Sequence, residues 1–246
     1  MQFINKYLSE IQQTLEKVMQ TQAEAMEAAA ALIADATIEK RNIFAFGCNH
    51  AGLLALELYY RSGGMVNINP VRGPGLHLDI DPATMTSQME RLPGYGRILM
   101  DHIPLGKGDV IIIHSVSGRN TVTVDAAIRA REKGASVIAL TNLTTSKAVA
   151  SRHEKGICLY QAADIVIDNC GCLGDASMEI EGVPSRVGPT STAIGAAILN
   201  AIISEAVARV TAAGHEAPVF ISANIDGGDK HNQLVLDSYK DQIFYM

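Results

Sequence analysis

Five short, largely apolar segments alternate with helix-forming segments along most of this chain. The five segments are NIFAF at 42–46, MVNIN at 65–69, the run around VIII at 110–113, ASVIALTN at 135–142 and ADIVIDN at 163–169. Strands that are apolar along their whole length are typical of a parallel sheet covered on both faces. The alternation therefore predicts an α/β fold, a three-layer sandwich around a mainly parallel five-stranded sheet.

A long N-terminal helix is predicted before the first strand. Residues 2–36 contain neither Gly nor Pro, and apolar residues recur at helical spacing, with a break near Thr21. That apolar face carries Ile4, Leu8, Ile11, Leu15 and Val18. Further helices are predicted over 50–61, 123–134 and 191–212, and a late strand or extended segment over 217–224. We expect one domain over 1–246, with a helical extension at 1–40 and an insertion at 72–105 that holds one helix over 85–92.

Composition and charge exclude several classes of protein. A net charge of −6 disfavours nucleic acid or an anionic membrane as the main partner. Four cysteines do not make a disulfide framework, and the N-terminal residues lack the pattern of a signal peptide. The apolar stretch 193–210 is interrupted by Asn200, Ser204 and Glu205, which predicts a buried helix rather than a membrane span. We therefore expect a cytoplasmic protein.

The most distinctive motif is SVSGRN at 115–120, directly after the third strand. Two serines and a glycine stand where a helix begins, and a helix N-terminus exposes unpaired N–H groups and a partial positive charge. The motif predicts an anion site, with plain helix capping by Ser117 or Asn120 as the alternative. Lys107 is followed by Gly108, which excludes a P-loop, and the first βα turn lacks the G-x-G-x-x-G of dinucleotide-binding folds.

The segment 110–142, VIIIHSVSGRNTVTVDAAIRAREKGASVIALTN, resembles the signature of the SIS (sugar isomerase) domain family, a phosphosugar-binding α/β fold. The branch that it resembles most is phosphoheptose-isomerase-like. FGCNHAG, VIDNCGCLGDA, GPTSTAIGAAILNAI and SANIDGGDKHN extend the resemblance over nearly the whole chain. By this resemblance, the residues that bind the phosphosugar are Ser115, Ser117, Gly118, Asn120, Asn49, His50, Ser191 and Thr192. The first turn departs from the family pattern, since Asn49 and Ala51 stand where family members often carry Gly and Ser.

The resemblance implies aldose–ketose isomerisation, which moves a proton through an enediol and needs a general base. In phosphoheptose isomerases, a Glu on the helix after the first turn serves as the general base. This chain has Arg61 at the matching position. Glu57, one turn earlier, is our first candidate, and a Glu57–Arg61 surface ion pair is the alternative. Glu90 in the insertion is the second candidate. SANIDGGDKHN is predicted to form a polar glycine turn after the late apolar segment, and His231 in that turn is the candidate for assisting ring opening.

No cofactor is expected. A divalent metal remains an alternative, because two sets of side chains contain possible metal ligands. His77, Asp79 and Asp81 alternate along one segment, and several carboxylates lie near Cys170 and Cys172. Neither set has the spacing of a structural zinc site. Some phosphoheptose isomerases use zinc, but the His and Glu ligands expected on the first helix are absent from this sequence.

Two functions remain open at this point. The first is a phosphosugar isomerase, and the second is a non-catalytic phosphosugar-binding sensor or scaffold protein. A homodimer or homotetramer is predicted from the apolar face of the N-terminal helix, with packing of that face on its own sheet as an equal alternative.

Overall fold

Five parallel strands form the central sheet, as the apolar segments predict. The computed structural model describes residues 1–246. The strands are β1 (Ile43–Gly47), β2 (Ile68–Pro70), β3 (Val110–His114), β4 (Ser136–Thr141), β5 (Ile165–Asp168), β6 (Ala176–Met178) and β7 (Val187–Pro189). The first five pair in the order β2–β1–β3–β4–β5, and every pairing is parallel. The remaining two form a separate antiparallel hairpin that the sequence analysis missed, because strands this short carry no periodicity.

Ten α-helices connect and cover the strands. They are α1 (Gln2–Thr21), α2 (Ala23–Ile38), α3 (His50–Glu57), α4 (Thr86–Met89), α5 (Tyr95–Asp101), α6 (Thr121–Glu132), α7 (Leu143–Ala148), α8 (Leu159–Ala162), α9 (Ser191–Ala212) and α10 (Gly228–Ser238). Single 3₁₀ turns lie at Ala83–Met85 and Lys240–Gln242.

The sheet separates two hydrophobic cores because successive strand residues point to opposite faces. On one face Ile43, Ala45 and Ile112 pack against α2, α3 and α9. On the other face Phe44 and Ile111 pack against α5, α6 and α8. The result is the predicted three-layer α/β sandwich.

Helix α9 belongs to the first of these cores. By length and composition alone, with a mean hydropathy of 1.6 over its most apolar window, it meets the requirements of a membrane-crossing helix. Ile194, Ile198 and Ile202 are nevertheless buried against the sheet and α2. A buried core helix accounts for this composition.

Several predicted elements differ from those observed. The helix expected over 50–61 ends at Glu57, before the Ser-Gly-Gly sequence at 62–64. The insertion 72–105 contains the single-turn α4 in place of a helix over 85–92, and it also contains α5, which was not predicted. The segment from 217 to 222 is extended, which was one of the two predicted forms, and it makes a single isolated bridge, from Val219 to Met65. Pro218 lacks the N–H that a continuous ladder needs.

The strand order predicts a ligand-binding crevice at one position on the sheet. The chain passes from β1 to β2 on one side and then returns to β3 on the other, so the connections leave β1 and β3 in opposite directions. In doubly wound sheets, ligands bind at this switch point, beyond the carboxyl ends of the strands. The turn that follows β1 and the SVSGRN loop that follows β3 both lie there.

The N-terminal helix uses only half of its apolar face within the chain. The predicted break is confirmed, since α1 ends at Thr21 and α2 begins at Ala23. Val18 is buried, and Ile11 and Leu15 pack on the first core. Ile4 and Leu8 are each 60% exposed, so the first two turns of α1 present apolar side chains to solvent.

We expect the double substitution Ile4→Lys with Leu8→Lys to reduce the mass per particle measured by light scattering. Charged side chains on this exposed stripe would disrupt an interface between copies of the chain, whereas they leave the monomer core intact. Leu234→Lys on α10, where the leucine is equally exposed at 60%, is the matched control. An unchanged mass for the α1 variant would show that this helix is not the interface.

Candidate functional site

The loop at 115–120 turns its carbonyl groups into the protein. Thr141 Oγ1 donates to the carbonyl oxygen of Ser115 at 2.7 Å, and Ser146 Oγ donates to that of Ser117 at 2.8 Å. Thr141 ends β4, the neighbouring strand, and Ser146 lies on α7, the helix that follows it. Because the carbonyls are satisfied internally, the loop is held in one orientation.

The same orientation leaves donors of the loop free. The backbone N–H groups of Ser117, Arg119 and Asn120 make no hydrogen bond within the chain, and neither does the Ser117 hydroxyl. The Ser115 hydroxyl is partly used, since it accepts from the N–H of Gly118 at 3.2 Å. Unpaired N–H groups at the start of α6, next to a free hydroxyl, form an arrangement suited to an anion.

Gly118 allows this loop conformation. Its φ of +57° lies in the left-handed region, which favours glycine. A Cβ there would lie 3.1 Å from Cβ of Leu159 and 3.2 Å from Oγ of Ser146. A larger residue would therefore push the loop away from α8.

The turn after β1 forms a second wall of the crevice. Asn49 has φ 55° and ψ −133°, a conformation that residues other than glycine rarely adopt, and its N–H donates to the carbonyl oxygen of Leu76 at 2.8 Å. His50 begins α3 and is exposed. Strained backbone of this kind concentrates at functional sites.

Glu90 lies between these two walls. Its carbonyl oxygen accepts from the N–H of Val122 at 3.2 Å, which attaches the insertion to the first turn of α6. Burial raises the pKa of its carboxyl group, and the neighbouring amides of Asn120 and Asn49 partly oppose that rise. The structure thus brings together Glu90, the SVSGRN loop and Asn49.

Glu57 lies elsewhere. It is the last residue of α3, so it stands about 10 Å along the helix axis from the edge where α3 begins. Its carboxylate pairs with Arg61 and accepts from Asn200 Nδ2 on α9. The surface ion pair, the alternative considered for this residue, is the correct one, and the structure does not support Glu57 as a base at this crevice.

His231 also lies elsewhere within the chain. The polar segment SANIDGGDKHN does not end in a turn, since α10 begins at Gly228 and carries His231 on its first turns. His231 Nε2 lies 3.1 Å from the carbonyl oxygen of Val219, which bridges to Met65 before β2. This places His231 toward the amino ends of the strands, away from Ser115 and Ser117.

Ser191 and Thr192 open α9, as predicted, but an acidic residue caps this helix. Asp175 accepts from the N–H groups of Thr190 and Ser191, at 3.1 and 2.8 Å, and from the Ser191 hydroxyl at 2.7 Å. The Ser191 hydroxyl is therefore engaged within the chain. The Thr192 hydroxyl remains free and half-buried.

His114 is a residue that the sequence analysis passed over. It ends β3 directly before Ser115, it is only 2% exposed, and its Nδ1 lies 3.3 Å from the carbonyl oxygen of Ala51. Its Nε2 has no hydrogen-bond partner. Burial lowers the pKa of His114 to about 4, so the ring is neutral at pH 7. The sequence shows only a histidine at the end of an apolar strand, and this pattern does not predict the contact with Ala51.

The metal ligands considered from the sequence do not converge. No group of three or more His, Cys, Asp or Glu side chains is arranged to hold a metal ion. In particular, His77, Asp79 and Asp81 do not form a ligand set, and Asp175 is used in capping α9.

Comparison with known proteins defines the class to which this fold and crevice belong. Residues 6–142 match the model of the SIS domain, a segment that includes β1, the insertion and the SVSGRN loop. A UPF0309 protein of Shouchella clausii is 42% identical over 246 residues, and one of Oceanobacillus iheyensis is 43% identical over 246 residues, each covering 100% of both chains. The chain therefore belongs to the SIS domain family and, within it, to the UPF0309 proteins.

Solved structures share the fold at low sequence identity. A phosphoheptose isomerase from Francisella tularensis has a TM-score of 0.54 and 14% identity, and the match covers 83% of this chain and 96% of that one. A phosphoheptose isomerase from Neisseria gonorrhoeae has a TM-score of 0.53 and 16% identity, with coverage of 85% and 98%. These likenesses confirm the expected SIS-type architecture.

Proposed function

We propose that this protein is an aldose–ketose isomerase that acts on a phosphorylated sugar in the cytoplasm. The observation that carries the proposal is the half-buried carboxyl group of Glu90 beside a loop whose N–H groups and Ser117 hydroxyl are free. The loop provides donors for the phosphate, and the carboxylate provides a base at the same end of the sheet. The names of the phosphoheptose isomerases with this fold are consistent with it.

In this proposal Glu90 carries the proton between adjacent sugar carbons. The carboxylate takes the proton from the hydroxyl-bearing carbon next to the carbonyl, which gives an enediolate. The proton of that hydroxyl passes to the former carbonyl oxygen, and the protonated carboxyl returns its proton to the former carbonyl carbon. Burial raises the pKa of Glu90, which makes its carboxylate a stronger base than an exposed one. The Asn49 and Asn120 amides lie beside the carboxylate and would orient it toward the sugar.

A non-catalytic phosphosugar-binding protein is the second candidate. It is favoured by α3, whose only carboxylate, Glu57, is paired with Arg61 far from the crevice. In that case the loop would still bind the phosphate, and Glu90 would serve to bind a sugar hydroxyl.

Proton exchange distinguishes the two functions. A panel of hexose and heptose phosphates is incubated with the protein in D₂O and followed by proton NMR. An isomerase gives the paired aldose or ketose and replaces the transferred proton with deuterium, because the enediol exchanges with solvent. Saturable binding of a phosphosugar with neither product nor exchange would support the binding protein instead.

A further inference from the structure

Arginine side chains without acidic partners surround the SVSGRN loop. The chain contains eleven arginines. Seven of them form ion pairs with Asp or Glu. Three of the remaining four, Arg91, Arg119 and Arg152, lie next to the loop or within it. This grouping leaves an excess of positive charge at one place on a chain whose net charge is −6.

Backbone and side-chain hydrogen bonds fix Arg152 at the loop. Its N–H donates to the carbonyl oxygen of Arg119 at 2.9 Å, and its Nη1 donates to Asn120 Oδ1 at 2.7 Å. The Thr121 hydroxyl donates to the carbonyl oxygen of Arg152 at 3.4 Å. Although its side chain is exposed, Arg152 is thus held beside residues 119–121.

A buried pair of side chains, His153 and Asp125, also fixes the segment that carries Arg152. His153 Nε2 lies 3.1 Å from Asp125 Oδ1 on α6, and the other oxygen of Asp125 accepts from the N–H of Gly94 at 2.7 Å. Both side chains of the pair are almost fully buried. Asp125 therefore ties Arg152 and the segment that carries Arg91 to one helix.

The guanidinium groups are incompletely satisfied. Nε of Arg119 is buried and has no hydrogen-bond partner. Partial burial and the charges of Arg119 and Arg91 lower the pKa of Arg152, and the negative charge of Glu90 opposes this effect. Three cations face one carboxylate, and a buried donor without a partner is costly unless a ligand satisfies it.

We propose that Arg91, Arg119 and Arg152 form a second anion site, so that the ligand is a phosphosugar with a further anionic group, a carboxylate or a second phosphate. The inference rests on the proposed function, because it assigns the first phosphate to the loop at 115–120. Neutral N–H groups and hydroxyls suffice for one phosphate. Guanidinium groups add paired hydrogen bonds to carboxylate or phosphate oxygens.

Calorimetric titration of the full chain with three probes tests the second site. The probes are glucose 6-phosphate, 6-phosphogluconate and glucose 1,6-bisphosphate, measured at one ionic strength. At least one of the two probes with a second anionic group should bind about tenfold or more tightly than glucose 6-phosphate, as expected for an added charge-assisted hydrogen bond. The carboxylate and bisphosphate arms identify which group is preferred.

Arginine variants assign that preference to residues. Arg152→Gln and Arg119→Gln should each remove most of the preference for the probes with a second anionic group. Arg152→Lys should retain part of that preference because the charge remains. Arg72→Gln is the matched control, since Arg72 also lacks an acidic partner but contacts Tyr59.

Three results would overturn the second site. These are equal or tighter binding of glucose 6-phosphate, a preference that survives both Gln variants, and no binding of any probe. If the parent protein shows no isomerisation in the D₂O experiment, the proposed reaction is wrong. The comparison of the three affinities still tests the second anion site. Thermal unfolding of each variant verifies that it is folded.

Discussion

Glu90→Gln should lower the turnover of the phosphosugar by about 10²–10⁴-fold, the usual cost of removing a general base. Glutamine keeps the size and hydrogen-bonding capacity of the side chain but cannot accept the transferred proton. Phosphosugar affinity should stay within a few-fold of normal, because the proposal assigns the phosphate to the loop at 115–120. Steady-state kinetics and titration calorimetry on the same preparation provide both values.

Glu57→Gln is the matched control for this experiment. Glu57 is the carboxylate that the sequence favoured, but it pairs with Arg61 and accepts from Asn200. We expect its turnover to remain close to that of the parent protein. Loss of turnover in Glu57→Gln with retention in Glu90→Gln would contradict the assignment of the base.

The pH dependence of kcat/KM gives a second test of Glu90 as the general base. Because burial raises its pKa, kcat/KM should fall with decreasing pH at a higher pH than an ordinary glutamate would give. The raised pKa also means that the folded protein binds this proton more tightly than the unfolded chain does. Glu90→Gln should therefore be at least as stable as the parent above this pKa, with any gain fading as the pH falls toward the ordinary value for glutamate.

The sheet was predictable because its strands are buried on both faces, which leaves an apolar sequence such as Val110–Ile113. The break in the N-terminal helix was also predictable, because the spacing of apolar residues changes near Thr21. Elements of three or four residues, such as β6 and α4, have no room for a period. Gly227 and Gly228 favoured a turn by composition, yet they begin α10 and carry His231 away from the crevice.

The candidate site was only partly accessible to sequence reasoning. Ser115, Ser117 and Gly118 are contiguous and directly follow a strand, so their placement depends on local structure alone. Glu57 was misplaced because helix periodicity gives the face of a residue, whereas its distance from the sheet edge depends on where the helix begins and ends. Arg152 reaches the loop from a segment more than thirty residues downstream, and no local pattern indicates such a contact.

Ser117→Ala is expected to weaken phosphosugar binding by about 10–150-fold, which corresponds to about 1.5–3 kcal/mol for a hydrogen bond to a charged group. The Ser117 hydroxyl makes no hydrogen bond within the chain, so its removal leaves no buried group unpaired and should not alter the fold. The effect should be confined to the phosphorylated ligand. Calorimetry with a phosphosugar and its unphosphorylated parent measures both affinities.

The control for this change is Ser204→Ala on α9. Ser204 is exposed and donates to the carbonyl oxygen of Asn200 at 2.8 Å, far from the carboxyl ends of the strands. It should leave both affinities unchanged. Equal losses for the phosphorylated and unphosphorylated sugars in Ser117→Ala would show that the hydroxyl contacts the sugar, and the phosphate would then have to bind elsewhere. A loss specific to the phosphosugar locates the phosphate at the loop, because only a ligand that carries the negative charge gains from this donor.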